Sequence, residues 1–351
     1  MKGVGAPQYY LGGDVKDLDE QWQKQGLHNA FSAETYIENL LPKIGEMIGE
    51  ETFRKQHIPM SPDYHPALDE SDFIDQDGIS KYQSMIGSLN WVHTLGRFDI
   101  AYALNQMSRY SMAPRKGHLE AVKRIFGHLR ARPCGQIIVD DEPEPSIRSK
   151  ATINDGFNWT EFYQDTCEDI PDDMPKPEGK LATLTCYVDA DHARDKVTRR
   201  SVTGIILMVN NTPMAWMSKR QKTVEVATFG SEMIAARIAV EMLIEWRYKL
   251  RMLGLNLEEK SWLVGDNMSV TINTTLPSSA LKKKHLACNY HKVREAIAAG
   301  FVIFGHINSE DNISDMCTKP LAQPAFEKLT GECLFRKPET LIDAKAQLRK
   351  F

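Results

Sequence analysis

The sequence predicts an α/β protein in two parts: a mainly helical N-terminal part, then a mixed five-stranded sheet with flanking helices. Apolar residues at helical spacing dominate residues 32–135, whereas short apolar and β-branched runs alternate with helical segments after Leu181. Between them, residues 140–180 are dense in acidic residues and proline, which is typical of a connection. With 351 residues, the chain is long enough for two such cores.

Helical periodicity recurs in the N-terminal part at residues 37–44, 85–92 and 119–129. Three prolines and an acidic run separate the first two stretches, so we expect an exposed loop there. We therefore predict at least two packed helices in a first domain at 1–139, followed by an acidic, proline-rich linker at 140–180.

The C-terminal part is predicted to follow the order βββαβαβα. The predicted strands are 184–188, 204–209, 214–217, 262–265 and 301–307. Asn210-Asn211 suits the turn of an antiparallel hairpin, and Gly254 and Gly300 suit the ends of helices at 231–253 and 285–299. We place this domain at 181–325 and a C-terminal tail at 326–351.

Composition narrows the function classes. The 43 Lys and Arg against 47 Asp and Glu give a net charge of −4, so any nucleic-acid binding must use local basic patches. The six cysteines lack metal-ligand or disulfide-framework spacing, which argues against a zinc site. Neither a secretion signal nor an apolar run of membrane-spanning length is apparent, so we expect no membrane partner.

Four acidic residues stand where an α/β sheet places its chemistry. Asp189 ends the first predicted strand of the sheet and Asp266 the fourth, while Glu232 and Asp315 stand at the heads of helices. If the two strands are neighbours, the carboxylates converge, and their repulsion then calls for cations. Oxygen ligands suit Mg²⁺, here two ions, with Mn²⁺ as the alternative. Any one such Asp is more often a turn or cap residue, so the prediction depends on the whole constellation.

Short motifs follow one another in a fixed order through the C-terminal part. They occupy residues 187–191, 199–204, 216–223, 265–267, 284–285, 290–295 and 315–321. In order and spacing they closely resemble the ribonuclease H domain of copia-type retrotransposon Pol polyproteins. The resemblance implies a ribonuclease H-like fold and metal-dependent hydrolysis of the RNA strand of RNA/DNA hybrids, with Asp189, Glu232, Asp266 and Asp315 as catalytic metal ligands.

The resemblance extends into the N-terminal part. Residues 10–13, 82–91, 97–101 and 114–124 look like the region between the polymerase palm and ribonuclease H in the same polyproteins. We therefore interpret this part as a reverse-transcriptase thumb and connection fragment without the palm active site, and expect no DNA synthesis from it. The Asp pair after Val139 leads into Glu-Pro-Glu-Pro rather than a second strand, unlike a polymerase turn.

The sequence departs from the family in three places. Gly230 stands where the family usually has the first glutamate of a Thr-Glu-Ala-Glu-like pattern, although Glu232 retains the second. His192 replaces a usual aromatic residue, and residues 130–133 replace a glycine-containing helix end. None of these changes removes a predicted metal ligand.

Further residues are candidates for substrate handling. The predicted contacts to nucleic acid are Lys219, Arg220, Lys222, Lys284, His285 and Arg294. A solvated basic face is the alternative for them. His306 precedes Asp315 at a spacing similar to a histidine that assists proton transfer in cellular ribonucleases H, the alternative being an ordinary histidine at a strand end.

The sequence is consistent with two functions. The first is an active endonuclease that works on hybrids beside the remaining polymerase domains of the polyprotein, in cytoplasmic virus-like particles or in the nucleus. The second is a catalytically inactive element remnant that binds nucleic acid or a polymerase partner. A related integrase or transposase needs the order Asp, Asp, Glu, whereas the order here is Asp, Glu, Asp, Asp.

Overall fold

The computed structural model describes residues 8–24, 26–141 and 150–336, which form two compact units. Unit 1 lies within residues 1–140, 195–197 and 319–351, and unit 2 within residues 141–194 and 198–318. Among the helices so described, none is long and apolar enough to cross a membrane.

Unit 1 combines helices with a small sheet. Its elements up to residue 140 are β1 (Tyr9–Tyr10), β2 (Gly13–Asp17), α1 (Glu20–Gln23), β3 (Leu27–Ser32), α2 (Glu34–Ile48), α3 (Gln76–Thr94), α4 (Ala101–Ser108), α5 (Lys116–Ala131) and β4 (Gln136–Asp140). The predicted helical stretches correspond to α2, α3 and α5. The antiparallel sheet β1-β2-β3-β4 is not among the predictions, and Asp140 belongs to it, pairing with Leu27 on β3.

A buried ionic network lies in unit 1 at the motif 97–101. The Arg97 guanidinium donates two hydrogen bonds to Asp99, at 3.0 and 2.8 Å, and His128 Nε2 lies 2.9 Å from Asp99 Oδ2. The three side chains are at most 1% exposed. Burial alone would raise the pKa of Asp99, but Arg97 and His128 hold it far below its usual range. The network thus ties α5 to the turn before α4.

Unit 2 is built on a six-stranded sheet. Its elements are β5 (Thr152–Ile153), α6 (Thr160–Tyr163), β6 (Glu178–Ala182), β7 (Leu184–Ala190), β8 (Val202–Val209), β9 (Thr212–Arg220), α7 (Thr228–Met252), β10 (Leu255–Leu257), β11 (Ser261–Gly265), α8 (Met268–Thr275), α9 (Ala287–Ala298) and β12 (Val302–His306). The sheet order is β5-β12-β11-β7-β8-β9, and β6 pairs with β10 in a separate parallel pair.

The pairings confirm the predicted ribonuclease H-like fold class. Strands β7, β8 and β9 form an antiparallel meander, β11 runs parallel to both β7 and β12, and β5 adds a two-residue antiparallel edge to the five predicted strands. The Asn210-Asn211 turn joins β8 to β9 as predicted, with Asn210 at a φ of 54°. The helix α8 was not predicted; Asn267 caps it by accepting from Val270 N at 3.2 Å.

The main core of unit 2 lies between the sheet and the helices α7 and α9. Every residue of β7 is buried, which is typical of a central strand covered on both faces. On α7, Ala235, Ala239 and Leu243 turn a fully buried stripe toward the strands. This packing fixes both the strand ends and the first turns of α7, which carry the candidate site.

The segment predicted as a linker carries β5, α6 and β6, and it packs within unit 2. Glu168 accepts hydrogen bonds from the nearly inaccessible Arg247 at 2.7 Å and from Arg251 at 2.5 Å. The last helix, α10 (Gln323–Cys333), lies in unit 1, where Phe326 meets the His128 ring edge-on. This helix crosses residue 325, where the predicted C-terminal domain ends and the predicted tail begins. The predicted domain bounds as a whole remain a prediction. Part of the predicted tail, 337–351, lies outside the described residues.

Candidate metal centre

Three of the predicted carboxylates converge at one edge of the sheet. Asp189 is the last residue but one of β7, and Asp266 directly follows β11, the strand beside it. Glu232 lies one turn into α7, which packs on β7. One carboxylate oxygen of each residue lies within 4.8 Å of the other two. Asp189 and Glu232 are buried, at 3% and 7% exposure, and Asp266 is half-buried.

Asp315 lies on an adjoining turn. It belongs to the 3-10 helix Ile313–Cys317, which packs against β7 and β8, and it is 7% exposed. In the described part of the chain, the group of closely spaced carboxylates comprises the other three acids without Asp315. Its role as a fourth ligand therefore stays a prediction.

Two polar side chains connect this 3-10 helix to β7. The Thr318 hydroxyl donates to Asp189 Oδ2, and the amide N–H of Thr318 donates to the Asp315 carbonyl at 3.1 Å. Asn312 is fully buried and donates to the Val188 carbonyl at 3.0 Å. The two hydrogen bonds hold the Asp189 carboxylate and its strand against the turn that carries Asp315.

Gly204 makes this close approach sterically feasible. It pairs with Asp189 across β7 and β8. A Cβ at this position would lie 2.5 Å from Thr318 Cγ2, 2.8 Å from the Ser314 carbonyl oxygen and 2.9 Å from Cys317 Cβ. Real Cβ atoms do not come so near, so the turn can pack on β8 only because residue 204 has no side chain. This explains the glycine that ends the motif 199–204.

His306 lies one strand from the carboxylates. It pairs with Gly265 across β11 and β12, and its Nε2 lies 3.1 Å from the Asp266 carbonyl oxygen. Because a carbonyl only accepts, Nε2 carries the hydrogen, and a neutral imidazole then has its lone pair on Nδ1. The structure places His306 beside the candidate centre, and its predicted part in proton transfer stays a prediction.

The departure at Gly230 has a structural counterpart. A Cβ on Gly230 would lie 2.3 Å from Glu225 Oε2, so the Glu225 carboxylate fills the space beside this glycine. Glu225 is 6% exposed and lies 3.1 Å from His285 Nε2. Glu225 was not among the predicted site residues. Through His285, it ties the loop after β9 to the basic segment before α9.

The predicted nucleic-acid contacts have different environments. Lys219, Lys222 and Lys284 are exposed, Arg220 is half-buried, and the His285 side chain is 56% exposed. Arg294 contradicts its prediction, since it is 2% exposed and donates to the carbonyls of residues 273, 276 and 277. Its guanidinium fastens the loop after α8 and is not presented on the surface.

The predicted site residues did not include Asn312, Thr318 or Gly204. Asn312 had a local signal, because its side chain accepts from Ser314 N and Oγ, and asparagine is a common cap of such a turn. Thr318 follows Asp315 by three residues and so stays near it after one 3-10 turn. Gly204 had no local signal, because the atoms that exclude a Cβ come from more than 100 residues along the chain.

The donor set fits a hard divalent cation. Three carboxylates supply oxygen ligands, as Mg²⁺ and Mn²⁺ prefer, and two of the three are already shielded from solvent. Because three adjacent negative charges oppose one another, a cation between them would relieve their repulsion. Asp191 is absent from this group; its Oδ1 accepts from Val202 N at 2.5 Å and so holds the start of β8.

The chain matches no protein-family profile. It is 27% identical over 326 residues to the retrovirus-related Pol polyprotein from transposon RE1 of Arabidopsis thaliana, which is 92% of this chain and 19% of that polyprotein. It is 26% identical over 331 residues to that from transposon TNT 1-94 of Nicotiana tabacum, covering 93% of this chain and 21% of that polyprotein. The chain thus spans about a fifth of the length of these relatives.

Two solved structures show weaker similarity. Ribonuclease H1 from Halobacterium salinarum NRC-1 is 16% identical, covers 39% of this chain and 94% of its own, and has a TM-score of 0.31. The N-terminal ribonuclease H domain of rv2228c from Mycobacterium tuberculosis is 10% identical, covers 42% and 96%, and has the same TM-score. The resemblance predicted from the motifs is confirmed by the polyproteins: over nearly its whole length, this chain is similar to the Pol polyproteins of copia-type transposons.

Proposed function

We propose that unit 2 hydrolyses the RNA strand of RNA/DNA hybrids endonucleolytically, in a reaction that needs divalent metal, as the ribonuclease H part of a retrotransposon reverse transcriptase. The observation that carries the proposal is the convergence of Asp189, Glu232 and Asp266 at the ends of adjacent strands in this fold. The similarity to transposon Pol polyproteins supports the same context.

Asp189, Glu232 and Asp266 would hold the metal, joined by Asp315 from its turn. Bound Mg²⁺ would supply an activated water and would stabilise the leaving 3′ oxygen. Thr318 keeps Asp189 oriented by its hydrogen bond, which fixes one ligand before any ion arrives. His306 Nδ1 can accept a proton at the edge of the centre, because its Nε2–H is directed at the Asp266 carbonyl.

The substrate would be recognised through its backbone. The exposed Lys219, Lys222 and Lys284 offer charges to phosphates, which predicts salt-dependent binding. Discrimination of hybrid from duplex DNA would use the 2′-hydroxyl and the groove shape rather than base sequence. The remaining polymerase domains of the polyprotein are the expected protein partners, and virus-like particles or the nucleus the expected setting.

The test is cleavage of a hybrid whose RNA strand is labelled, with Mg²⁺ or Mn²⁺, by the unaltered chain, Asp189→Asn and Asp172→Asn. Asp172 is an exposed aspartate of unit 2 and serves as the matched control. We expect cleavage that EDTA abolishes. Asp189→Asn should lose more activity than the roughly 10- to 100-fold typical of changes to a residue that hydrogen-bonds a metal ligand, and Asp172→Asn should keep its activity.

Circular dichroism of each sample establishes that it is folded. A folded, unaltered chain that binds hybrid but cleaves nothing with either metal would refute the nuclease and favour the inactive nucleic-acid-binding remnant. Cleavage that survives Asp189→Asn in full would instead place the chemistry elsewhere.

A further inference from the structure

Unit 2 contains a cavity of about 360 Å³ whose lining includes none of the three converging carboxylates. It lies between α6, the loop after α8 and the start of α9. Its lining includes Phe162, Tyr163, Lys284, His291 and Arg294. Its volume falls in the roughly 300–1,000 Å³ range of small-ligand sites. None of the residues that line it is acidic.

The cavity has a buried positive charge at its wall. Arg294 is 2% exposed, and its guanidinium donates to three backbone carbonyls at 2.7 to 3.0 Å. It also lies 4.8 Å from the ring centres of both Trp159 and Tyr290. Carbonyls and rings stabilise a cation without cancelling its charge, and no carboxylate within the described ranges forms an ion pair with Arg294. The charge therefore attracts anions to the cavity.

A second cation stands at the rim. Lys284 is exposed, and within residues 150–336 no ion pair holds its ammonium group. The neighbouring Lys282 is equally exposed but does not line the cavity. Lys284 is thus available to a phosphate, and Lys282 offers a comparison of equal charge and nearly equal position.

The cavity also presents aromatic rings. Phe162 on α6 is 50% exposed although its ring is apolar. The next residue, Tyr163, shares a hydrogen bond of 2.7 Å with His291 Nδ1, which fixes α6 against α9 at the cavity. An exposed ring beside uncompensated cations is the arrangement by which proteins bind single-stranded nucleic acid, the base stacking on the ring and the phosphate meeting the cation.

We infer that this cavity binds one unpaired nucleotide of a single-stranded nucleic acid, with the base on Phe162 and its phosphate at Lys284, in the field of Arg294. The site shares no residue with the group Asp189, Glu232 and Asp266, so it does not depend on metal or on the proposed cleavage. It would give the chain a hold on single strands in which Lys284, one of the proposed hybrid contacts, also takes part.

The test is fluorescence anisotropy of a short labelled oligouridine titrated with the full chain in EDTA, where no cleavage occurs. Phe162→Ala and Lys284→Ala are compared with Phe157→Ala and Lys282→Ala. Phe157 is a 43%-exposed phenylalanine of the same segment that does not line the cavity. Because a base stacked on an aromatic ring contributes about 1–3 kcal/mol, we expect Phe162→Ala to weaken binding about 5- to 100-fold.

Lys284→Ala should weaken binding several-fold more than Lys282→Ala, and Phe162→Tyr, which keeps a ring, should bind like the unaltered chain. An abasic strand with the same phosphates should lose the effect of Phe162. Equal losses for Phe162→Ala and Phe157→Ala, or equal affinity for the abasic and base-bearing strands, would overturn the inference. Neither outcome depends on whether the metal centre is active.

Discussion

Replacing Gly204 by alanine adds one methyl group at the residue that pairs with Asp189 on the neighbouring strand. The new Cβ would lie 2.5 Å from Thr318 Cγ2 and 2.8 Å from the Ser314 carbonyl oxygen. The backbone oxygen cannot rotate away, and Cys317 Cβ, at 2.9 Å, is equally fixed. The turn that carries Asp315 must therefore move off β8, or the strand must bend.

The size of the effect follows from these contacts. Overpacking a close-packed core typically costs about 1–3 kcal/mol of stability. If the turn moves, the Thr318 hydroxyl leaves Asp189 Oδ2, and a hydrogen bond to a charged group contributes about 1.5–3 kcal/mol. Loss of a hydrogen-bond partner of a metal ligand typically weakens metal binding about 10- to 100-fold. Gly204→Ala should thus lower the stability of unit 2 and also its apparent affinity for Mg²⁺.

The assay is hybrid cleavage as a function of Mg²⁺ concentration, together with thermal unfolding in EDTA. Thr318→Val should reproduce the shift in Mg²⁺ requirement without the overpacking, and Thr318→Ser, which keeps the hydroxyl, should not. Gly331→Ala is the control, because its Cβ would meet no atom within 4 Å. If Gly204→Ala matches Gly331→Ala in both measurements, the turn does not depend on the glycine and the reasoning is refuted.

Two further predictions concern unit 1. Asp99→Asn should destabilise unit 1 by about 3–5 kcal/mol in urea unfolding, because the buried Arg97 charge loses its counter-ion. Asp72→Asn, which breaks an ion pair exposed to solvent, should not destabilise it. Equal stability of the two variants would contradict this prediction. Burial lowers the pKa of His93 from 6.5 to about 4. Between these pH values the unfolded chain therefore binds a proton at His93 that the folded chain does not. The free energy of unfolding should fall by up to about 3 kcal/mol as the pH drops from 6.5 to 4. In urea unfolding, His93→Gln should remove this dependence of stability on pH. His57→Gln, which changes a 69%-exposed side chain, should leave the dependence intact. If the slope of stability against pH is unchanged in His93→Gln, His93 is not its cause.

Local signals predicted the sheet of unit 2 well. Each predicted strand is present, because strongly apolar, β-branched runs bounded by turn residues have few alternatives to a buried strand. Gly254 and Gly300 end their helices with φ values of 76° and 80°, a conformation that costs other residues more. The convergence of Asp189 and Asp266 was predicted on the condition that the first and fourth predicted strands are neighbours, and β7 and β11 do pair.

Features that depend on distant partners escaped prediction. The strands β2 and β3 are short and half-polar, so their pairing with each other and with β4 decides their structure. The acidic, proline-rich composition of 140–180 gave no sign of the role of Glu168, whose charge is stabilised by two arginines 79 and 83 residues away. Arg294 was predicted to be a surface cation, whereas in the structure aromatic rings and backbone carbonyls enclose its guanidinium.

The three converging carboxylates and the predicted fourth ligand, Asp315, are therefore placed by different contacts. The carboxylates of Asp189 and Asp266 are brought together by strand order, and the packing of α7 on β7 adds Glu232. Asp315 is placed by a turn that Asn312 and Thr318 fasten to β7, and that turn can pack there only opposite a glycine. Since Thr318 also donates a hydrogen bond to Asp189, any change that loosens the turn disturbs Asp189 and Asp315 at once. Motif 199–204 and motif 315–321 are consequently two halves of one packing arrangement, although neither half indicates this when read alone.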